Sequence, residues 1–172
     1  VGTVGNQTGR LPAIQPATMT TPPAPELSAL LADMVDARCK ACLMEVSSHA
    51  LDQRRVDALQ FSVAIFTNLT GDHLDYHLDM ANYAAAKARL FELLDKDGTA
   101  IVNIDDQAAE IMIDATRAKN LIRVSTQSAP GADLFAEVRS EHADGTEIAI
   151  TGLGFDGAVV TVPLPGRHNV QN

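Results

Sequence analysis

The chain is short of positive charge. Its 172 residues hold 13 lysines and arginines against 22 acidic residues, for a net charge of -9 and a pI near 4.8. A surface this acidic argues against duplex nucleic acid or an anionic membrane as partner. No apolar run approaches the roughly 20 residues that cross a bilayer. The opening "VGTVGNQTGR" lacks the basic stretch followed by an apolar one that marks a secretory signal. The expectations are therefore a cytoplasmic protein and a monomer, with no membrane insertion and no nucleic acid.

Cysteine is scarce too: Cys39 and Cys42, in "CKAC", are the two present. Structural zinc normally needs a second pair, and a redox CxxC opens a helix, whereas "CLMEV" after Cys42 reads as a strand. Buried free thiols are the expectation. A Walker A loop is absent: a glycine precedes none of Lys40, Lys87, Lys96 and Lys119, and "GTVGNQTG" has glycines without lysine. The chain opens without methionine and stops in "GRHNVQN" with no terminal helix or tail, so both ends read as cuts through a longer protein.

What is present suits a globular domain. Hydrophobic residues make up 46% and charged residues 20%, ordinary for a soluble core of this length. After a Gly-, Thr- and Pro-rich start with room for a short strand, "TTPPAPE" leads into a helical pattern. Leu27, Leu30, Leu31, Met34 and Val35 share one face of it, with Glu26 in the first turn and Arg38 near the end. "ACLMEV" and "FSVAIFT" read as strands. A helix is expected over 80–95, capped by Asp79 and followed by Gly98, then strand "TAIVNI", a helix over 106–118 and strand "NLIRVS". This alternation implies an α/β fold, a mostly parallel sheet flanked by helices on both faces. From about residue 133 the pattern changes to short strands, "DLFAEVRS", "TEIAITG" and "GAVVTVPL", with "ADG" and "FDG" as turns. These make a small antiparallel β addition. The expected division is an α/β part over 1–130, antiparallel strands over 131–165 and the start of a helix over 166–172.

Ligands of open α/β sheets bind beyond the carboxyl ends of the strands. Glu45 closes "ACLM", followed by Ser47, Ser48 and His49, and Asn68 closes "FSVAIF", leading to Asp72 and His73. A carboxylate in an apolar strand needs a partner, so Glu45 is either a ligand or satisfied by backbone N–H groups; the residues leave the two balanced. "HLDYH" has zincin spacing, but Leu74 stands where the general-base glutamate belongs. One hard-metal ligand from His73 is the better reading, with His77 fixing the loop. Lys87 falls within the apolar stripe of Met80, Tyr83, Ala84, Leu90, Phe91 and Leu94, while Arg89 and Glu92 point away. It either snorkels past small alanines, the reading the residues alone favour, or is held with a lowered pKa so that its neutral amine reacts, for instance with carbon dioxide to give a carbamate.

Taken together, "TTPPAPEL", "MEVSSHAL", "FTNLTGDHLDYH", "ANYAAAKARLF" and "LPGRHNVQN" resemble the Mur ligases of the MurE type, nearly end to end. The resemblance implies the central ATPase domain, with the P-loop part missing. It implies a fragment of an ATP-dependent, acid–amino-acid ligase of peptidoglycan biosynthesis, joining a diamino acid or lysine to UDP-N-acetylmuramoyl-L-alanyl-D-glutamate through an acyl phosphate. The implied cofactors are ATP and Mg2+. Thr20 and Thr21 match a substrate-binding threonine pair, and Ser47, Gln53 and Arg55 match contacts to the UDP-muramoyl peptide. Lys87 matches a carbamylated lysine and, with Glu45 and His73, the magnesium side. Asn169 and Asn172 match an adenine-side motif. Two residues depart from the family pattern: Leu78 stands where glycine is expected after "DYH", and Gly71 where a bulkier residue precedes "DH". Without a P-loop, the chain by itself is expected to be inactive on ATP. Two readings compete with the ligase fragment: a non-catalytic module binding UDP-muramoyl peptides, and a zinc hydrolase built on "HLDYH".

Overall fold

The structure, a computed structural model, describes residues 1–9, 14–71 and 74–171. It divides into two compact units, Val1–Gln60 and Phe61–Asn172.

In the first unit the Pro-rich lead fixes where the first helix starts. Helix α1 (Ala24–Asp36) has Pro23 at its N-cap, Pro25 in the first turn and Glu26 beside it. Proline there removes an N–H that has no helical partner, and the acid complements the helix dipole. The helix ends in a Schellman motif, with Arg38 N–H on Val35 O and Cys39 N–H on Met34 O, both at 2.9 Å. Arg38 takes the left-handed conformation there, φ 60°, where glycine is usual. Leu27 and Met34 carry the buried face. A short helix α2 (Ser48–Asp52) follows, with Ser47 as N-cap accepting from Ala50 N–H at 3.2 Å.

Two expectations fail here. "ACLMEV" is not a strand: its backbone meets Val1, through Val1 N–H on Leu43 O and Glu45 N–H on Val1 O. Leu43 is 88% exposed, so the run is no buried interior strand of this unit. The thiols of Cys39 and Cys42 are free as expected but exposed rather than buried. Both follow the end of α1.

The second unit is built on one six-stranded sheet in sequence order, β1 (Phe61–Phe66), β2 (Leu94–Asn103), β3 (Asn120–Ser125), β4 (Leu134–His142), β5 (Gly145–Gly152) and β6 (Phe155–Val162). Pairs β1–β2, β2–β3 and β3–β4 are parallel, and β4–β5 and β5–β6 antiparallel. The parallel part with its antiparallel addition matches the pattern read from the sequence. Helices α3 (Leu74–His77) and α4 (Met80–Glu92) join β1 to β2, and α5 (Ala109–Ala115) joins β2 to β3. A last short helix, α6 (His168–Gln171), closes the described chain. Strands β3 and β4 overlap only at Val124↔Leu134 and Ser125↔Phe135. The loop between them therefore has little distance to cover and needs no crossover helix.

The core lies between one sheet face and two helices. Ala64 and Phe66 of β1 and Ala100 and Val102 of β2 pack with Ala84, Ala88 and Phe91 of α4 and Ala109 and Met112 of α5. Small alanines let the helices approach the sheet. Truncating Phe91 would cost about 3–5 kcal/mol, because the cavity adds to the lost transfer energy. On β1 the alternate residues Val63 and Ile65 are 50% and 59% exposed. Helices α4 and α5 both sit over the face bearing Ala64 and Phe66.

Boundaries differ for local reasons. Helix α4 stops at Glu92, and Leu94 already pairs with Phe61, so the strand begins where helix was expected. Gly98, expected just past the helix, lies in an irregular part of β2. A Cβ there would stand 2.8 Å from Asp95 O and 2.9 Å from Ser62 O. Helix α5 is shorter than 106–118 because Asp106 first turns the chain, its Oδ1 accepting from Ala108 N–H at 2.8 Å. "FDG" is not a turn. The two-residue turn is Leu153–Gly154, with φ 50° and 89°, as a hairpin of right-handed twist requires, and Phe155 opens β6.

Candidate functional site

In the first unit, five sequence-identified residues, Thr21, Glu45, Ser47, Gln53 and Arg55, form one hydrogen-bonded group, which Thr20 joins through Thr3. Thr21 is fully buried, and its hydroxyl donates to Glu45 O at 2.9 Å while accepting from Ser47 N–H at 3.0 Å. Arg55 donates through Nη1 to Thr21 O at 2.8 Å. Its Nε and Nη2 both reach Gln53 Oε1, at 3.0 and 2.6 Å. The start of α2 thus fixes Ser47, its end fixes Gln53 and Arg55, and the Pro-rich lead to α1 brings Thr20 and Thr21 between them.

Glu45 is exposed rather than walled into an apolar strand. Its Oε2 accepts from Thr3 Oγ1 at 2.6 Å and from Thr3 N–H at 2.9 Å. These two bonds, the hydroxyl first and then the backbone N–H, hold its carboxyl below the usual carboxylate range. Of the two readings of Glu45, satisfaction by neighbours describes Oε2; Oε1 takes neither bond. Gly2 lets the carboxylate lie against the backbone, since a Cβ there would stand 2.9 Å from Glu45 Cδ. Thr3 was missed in the sequence, although its place between Gly2 and Val4–Gly5 marks a close backbone approach.

In the second unit the loops after β1, β2 and β3 meet at the carboxyl edge of the sheet. The stretch "NIDD" at the end of β2 clasps its neighbours on both sides. Asn103 Nδ2 donates to Thr67 O at 2.7 Å, and Asp106 Oδ2 accepts from Leu69 N–H at 2.7 Å. Asp105 accepts from Ser125 Oγ at 2.6 Å and from the N–H and hydroxyl of Thr126, at 2.7 and 3.0 Å. An open cleft of about 530 Å³ lies here, lined by Leu69, Met80 and Ala84 on one side and Asp105, Asp106 and Ile111 on the other. Asp105 and Asp106 were also missed. The rule applied to Glu45 and Asn68, polar residues just past an apolar strand, would have found them after "TAIVNI".

Lys87 lies in α4 with Nζ 5.5 Å from the centroid of the Tyr83 ring. Burial pushes its pKa down from the ordinary lysine value, and the negative charge of Asp106 opposes that shift in part. Lys87 is half-buried. His77 is buried, stacks with Tyr83 at 5.0 Å and meets Tyr76 edge-on at 4.8 Å, so it fixes the loop as expected. Arg89, expected to point away, is partly buried, with its Nε out of contact with solvent. Asn169 donates from Nδ2 to Pro165 O at 2.8 Å, on α6. His73 and Asn172 lie outside the described residues. Among the described residues, no three His, Cys, Asp or Glu side chains converge as a metal cluster.

Comparison with known proteins gives a consistent picture. The family model "Mur ligase middle domain" matches residues 1–172. A UDP-N-acetylmuramoyl-L-alanyl-D-glutamate–2,6-diaminopimelate ligase of Xanthomonas campestris pv. campestris is 44% identical over 173 residues, covering 100% of this chain and 34% of that protein. The ligase of the same name from Chlorobaculum tepidum is 40% identical over 164 residues, covering 91% and 32%. The chain thus spans about a third of the length of the curated relatives it matches. A solved structure of a ligase of that name superposes with a TM-score of 0.79 at 29% identity, covering 99% of this chain and 34% of that one. MurF of Acinetobacter baumannii shares the fold, with a TM-score of 0.57 at 23% identity over 65% of this chain and 24% of that one.

Proposed function

The chain belongs to the Mur ligase middle-domain family, and from that premise we propose that it is the central part of an ATP-dependent ligase of cell-wall synthesis. The substrate we propose is UDP-N-acetylmuramoyl-L-alanyl-D-glutamate, to which a diamino acid or lysine is joined. The observation that carries the reading is the hydrogen-bonded group of Thr21, Glu45, Ser47, Gln53 and Arg55 in the first unit, with Thr20 joined to it through Thr3. Threonine and serine hydroxyls, an amide and a guanidinium, held by mutual bonds, suit a sugar-peptide rich in carbonyls and acidic groups.

In the proposed reaction a carboxylate oxygen of the peptide bonds to the γ-phosphorus of ATP, and the bond to ADP breaks. The amine of the incoming residue then bonds to the acyl carbon, phosphate leaves with its oxygen and the amine loses a proton. Arg55 would bind and orient the acidic acceptor. Lys87, whose pKa burial lowers, would hold a larger fraction of neutral amine, which can take up carbon dioxide and release a proton to become an anionic carbamate. Glu45 offers one hard oxygen donor at Oε1, which fits magnesium, an ion that binds through one or two carboxylates, water and substrate phosphates. Magnesium, when bound, would neutralise phosphate charge during transfer. By the family resemblance Glu45 is a candidate ligand, as are His73 and the modified Lys87, and Asn169 and Asn172 are candidates for the adenine side. We propose that the whole chain is part of one central domain, with the strands over 131–165 as its antiparallel addition. The protein would act in the cytoplasm as a monomer.

Two measurements test this. Calorimetry of the 172-residue chain with the UDP-muramoyl dipeptide should show binding that Arg55→Ala weakens roughly tenfold, the loss of one charged hydrogen bond. Equal affinity of the two chains would contradict the assignment. With no Gly-Lys-Ser/Thr loop in its sequence, the chain alone should release no ADP from ATP.

A further inference from the structure

Thr3 is an exposed residue near the start of the chain, yet its polar atoms are directed at two candidate functional residues. Its N–H and its hydroxyl both go to Glu45 Oε2, at 2.9 and 2.6 Å. The same hydroxyl oxygen lies 3.0 Å from Thr20 Oγ1. A hydroxyl has one proton. Thr3 gives its proton to Glu45, so Thr20 must be the donor in the second bond. The three residues form a directed chain, Thr20 to Thr3 to Glu45.

We infer that Thr3 is a positioning residue, which fixes the Glu45 carboxylate through Oε2 and leaves Thr20 to meet a ligand as a hydrogen-bond acceptor. The inference rests on the proposed reading of Glu45 as a magnesium ligand. Two bonds on one carboxylate oxygen stop the side chain from rotating and present Oε1 in one place. The proton of Thr20 is committed to Thr3, so the lone pairs of Thr20 remain for a group that donates, an amide N–H or a hydroxyl rather than a phosphate oxygen. Gly2 belongs to the same device: a Cβ there would come within 3.0 Å of Oε1 and 3.2 Å of Oε2, displacing the carboxylate that Thr3 holds. Thr3 is exposed and its side chain packs no core, so the device is separable from folding.

The test is manganese binding by the 172-residue chain, read by the loss of the free-ion paramagnetic resonance signal. Thr3→Val keeps the shape and the backbone N–H but removes the hydroxyl; it should weaken Mn2+ roughly tenfold, the usual effect of losing a partner that orients a metal ligand. Thr3→Ser should restore binding to within about twofold. All variants should unfold at the same temperature as the unsubstituted chain. Glu45→Gln separates the two levels of the argument. If Glu45→Gln loses binding while Thr3→Val does not, the role of Thr3 is wrong and the reading of Glu45 stands. If Glu45→Gln binds as the unsubstituted chain does, or if that chain binds no Mn2+, the reading of Glu45 fails and the inference with it.

Discussion

The Nζ of Lys87 lies 5.5 Å from the centroid of Tyr83, and the same ring is stacked on His77 at 5.0 Å with an interplanar angle of 12°. One aromatic ring therefore links the end of "LDYH" to the lysine one turn further along α4. The ring's quadrupole favours the cation only weakly, while burial disfavours it. Burial lowers the lysine's pKa, and the negative charge of Asp106 opposes that in part.

That balance predicts a dependence on pH. Between the lowered pKa of Lys87 and its ordinary value of 10.5, the unfolded chain binds more protons than the folded one. Stability should therefore rise with pH through that window. Its contribution is fully present above the ordinary value and lost as pH falls through the lowered one. Lys87→Met should flatten the rise and stabilise the chain at neutral pH by about 1 kcal/mol, since an apolar side chain no longer carries a desolvated charge. Denaturant unfolding across the alkaline range checks both statements. A less stable methionine variant would show the lysine to be well accommodated as a cation.

Leu78 gives a second prediction. It ends the turn after α3 with its N–H on Leu74 O at 2.9 Å and a φ of 72°. An L side chain is strained in that conformation by about 1–2 kcal/mol, and glycine is not. Leu78 is 81% exposed, so little buried surface is lost on removing it. Leu78→Gly should gain between a few tenths and about 1 kcal/mol, the strain relief less the extra chain entropy of glycine. Leu78→Ala keeps the Cβ and should gain nothing; equal gains for the two would remove strain as the cause.

Asp105 gives a third. It accepts three hydrogen bonds from Ser125 and Thr126, and so ties the loop after β3 to the end of β2. Asp105→Ala should cost roughly 2–3 kcal/mol, as bonds to a charged group are lost and their donors left unmet. Hydrogen exchange at the Thr126 amide should rise in step. An unchanged amide would mean the loop is held by other contacts.

The sequence made the second unit legible because its strands and helices carry unambiguous periods. "NLIRVS" became β3 to the residue, "FSVAIFT" became β1 without its final Thr67, and Asp79 caps α4 through Asn82 N–H at 2.7 Å. Adjacent apolar segments were not separable in this way. Nothing in "ELLDKDG" says that Leu93 ends a helix and Leu94 begins a strand, because both leucines suit either, and only pairing with Phe61 decides. "ACLMEV" failed for the opposite reason: its apolar residues suit a strand that this unit does not build. In the candidate site, family likeness pointed to Glu45, Thr20 and Thr21. Thr3 joins them across more than forty residues of chain, and no local pattern encodes such a bond.

The central claim is that Lys87 belongs to the reacting part of a ligase. It is tested most directly by turnover in a protein that carries this chain at the length of its relatives. ADP release dependent on both the UDP-muramoyl dipeptide and the amino acid should be abolished by Lys87→Ala, with dipeptide affinity unchanged, and partly restored by short carboxylic acids that replace the carbamate. No substrate-dependent ADP release from the unsubstituted protein, or full turnover by Lys87→Ala, would contradict the claim; the first result would leave a module that only binds UDP-muramoyl peptides.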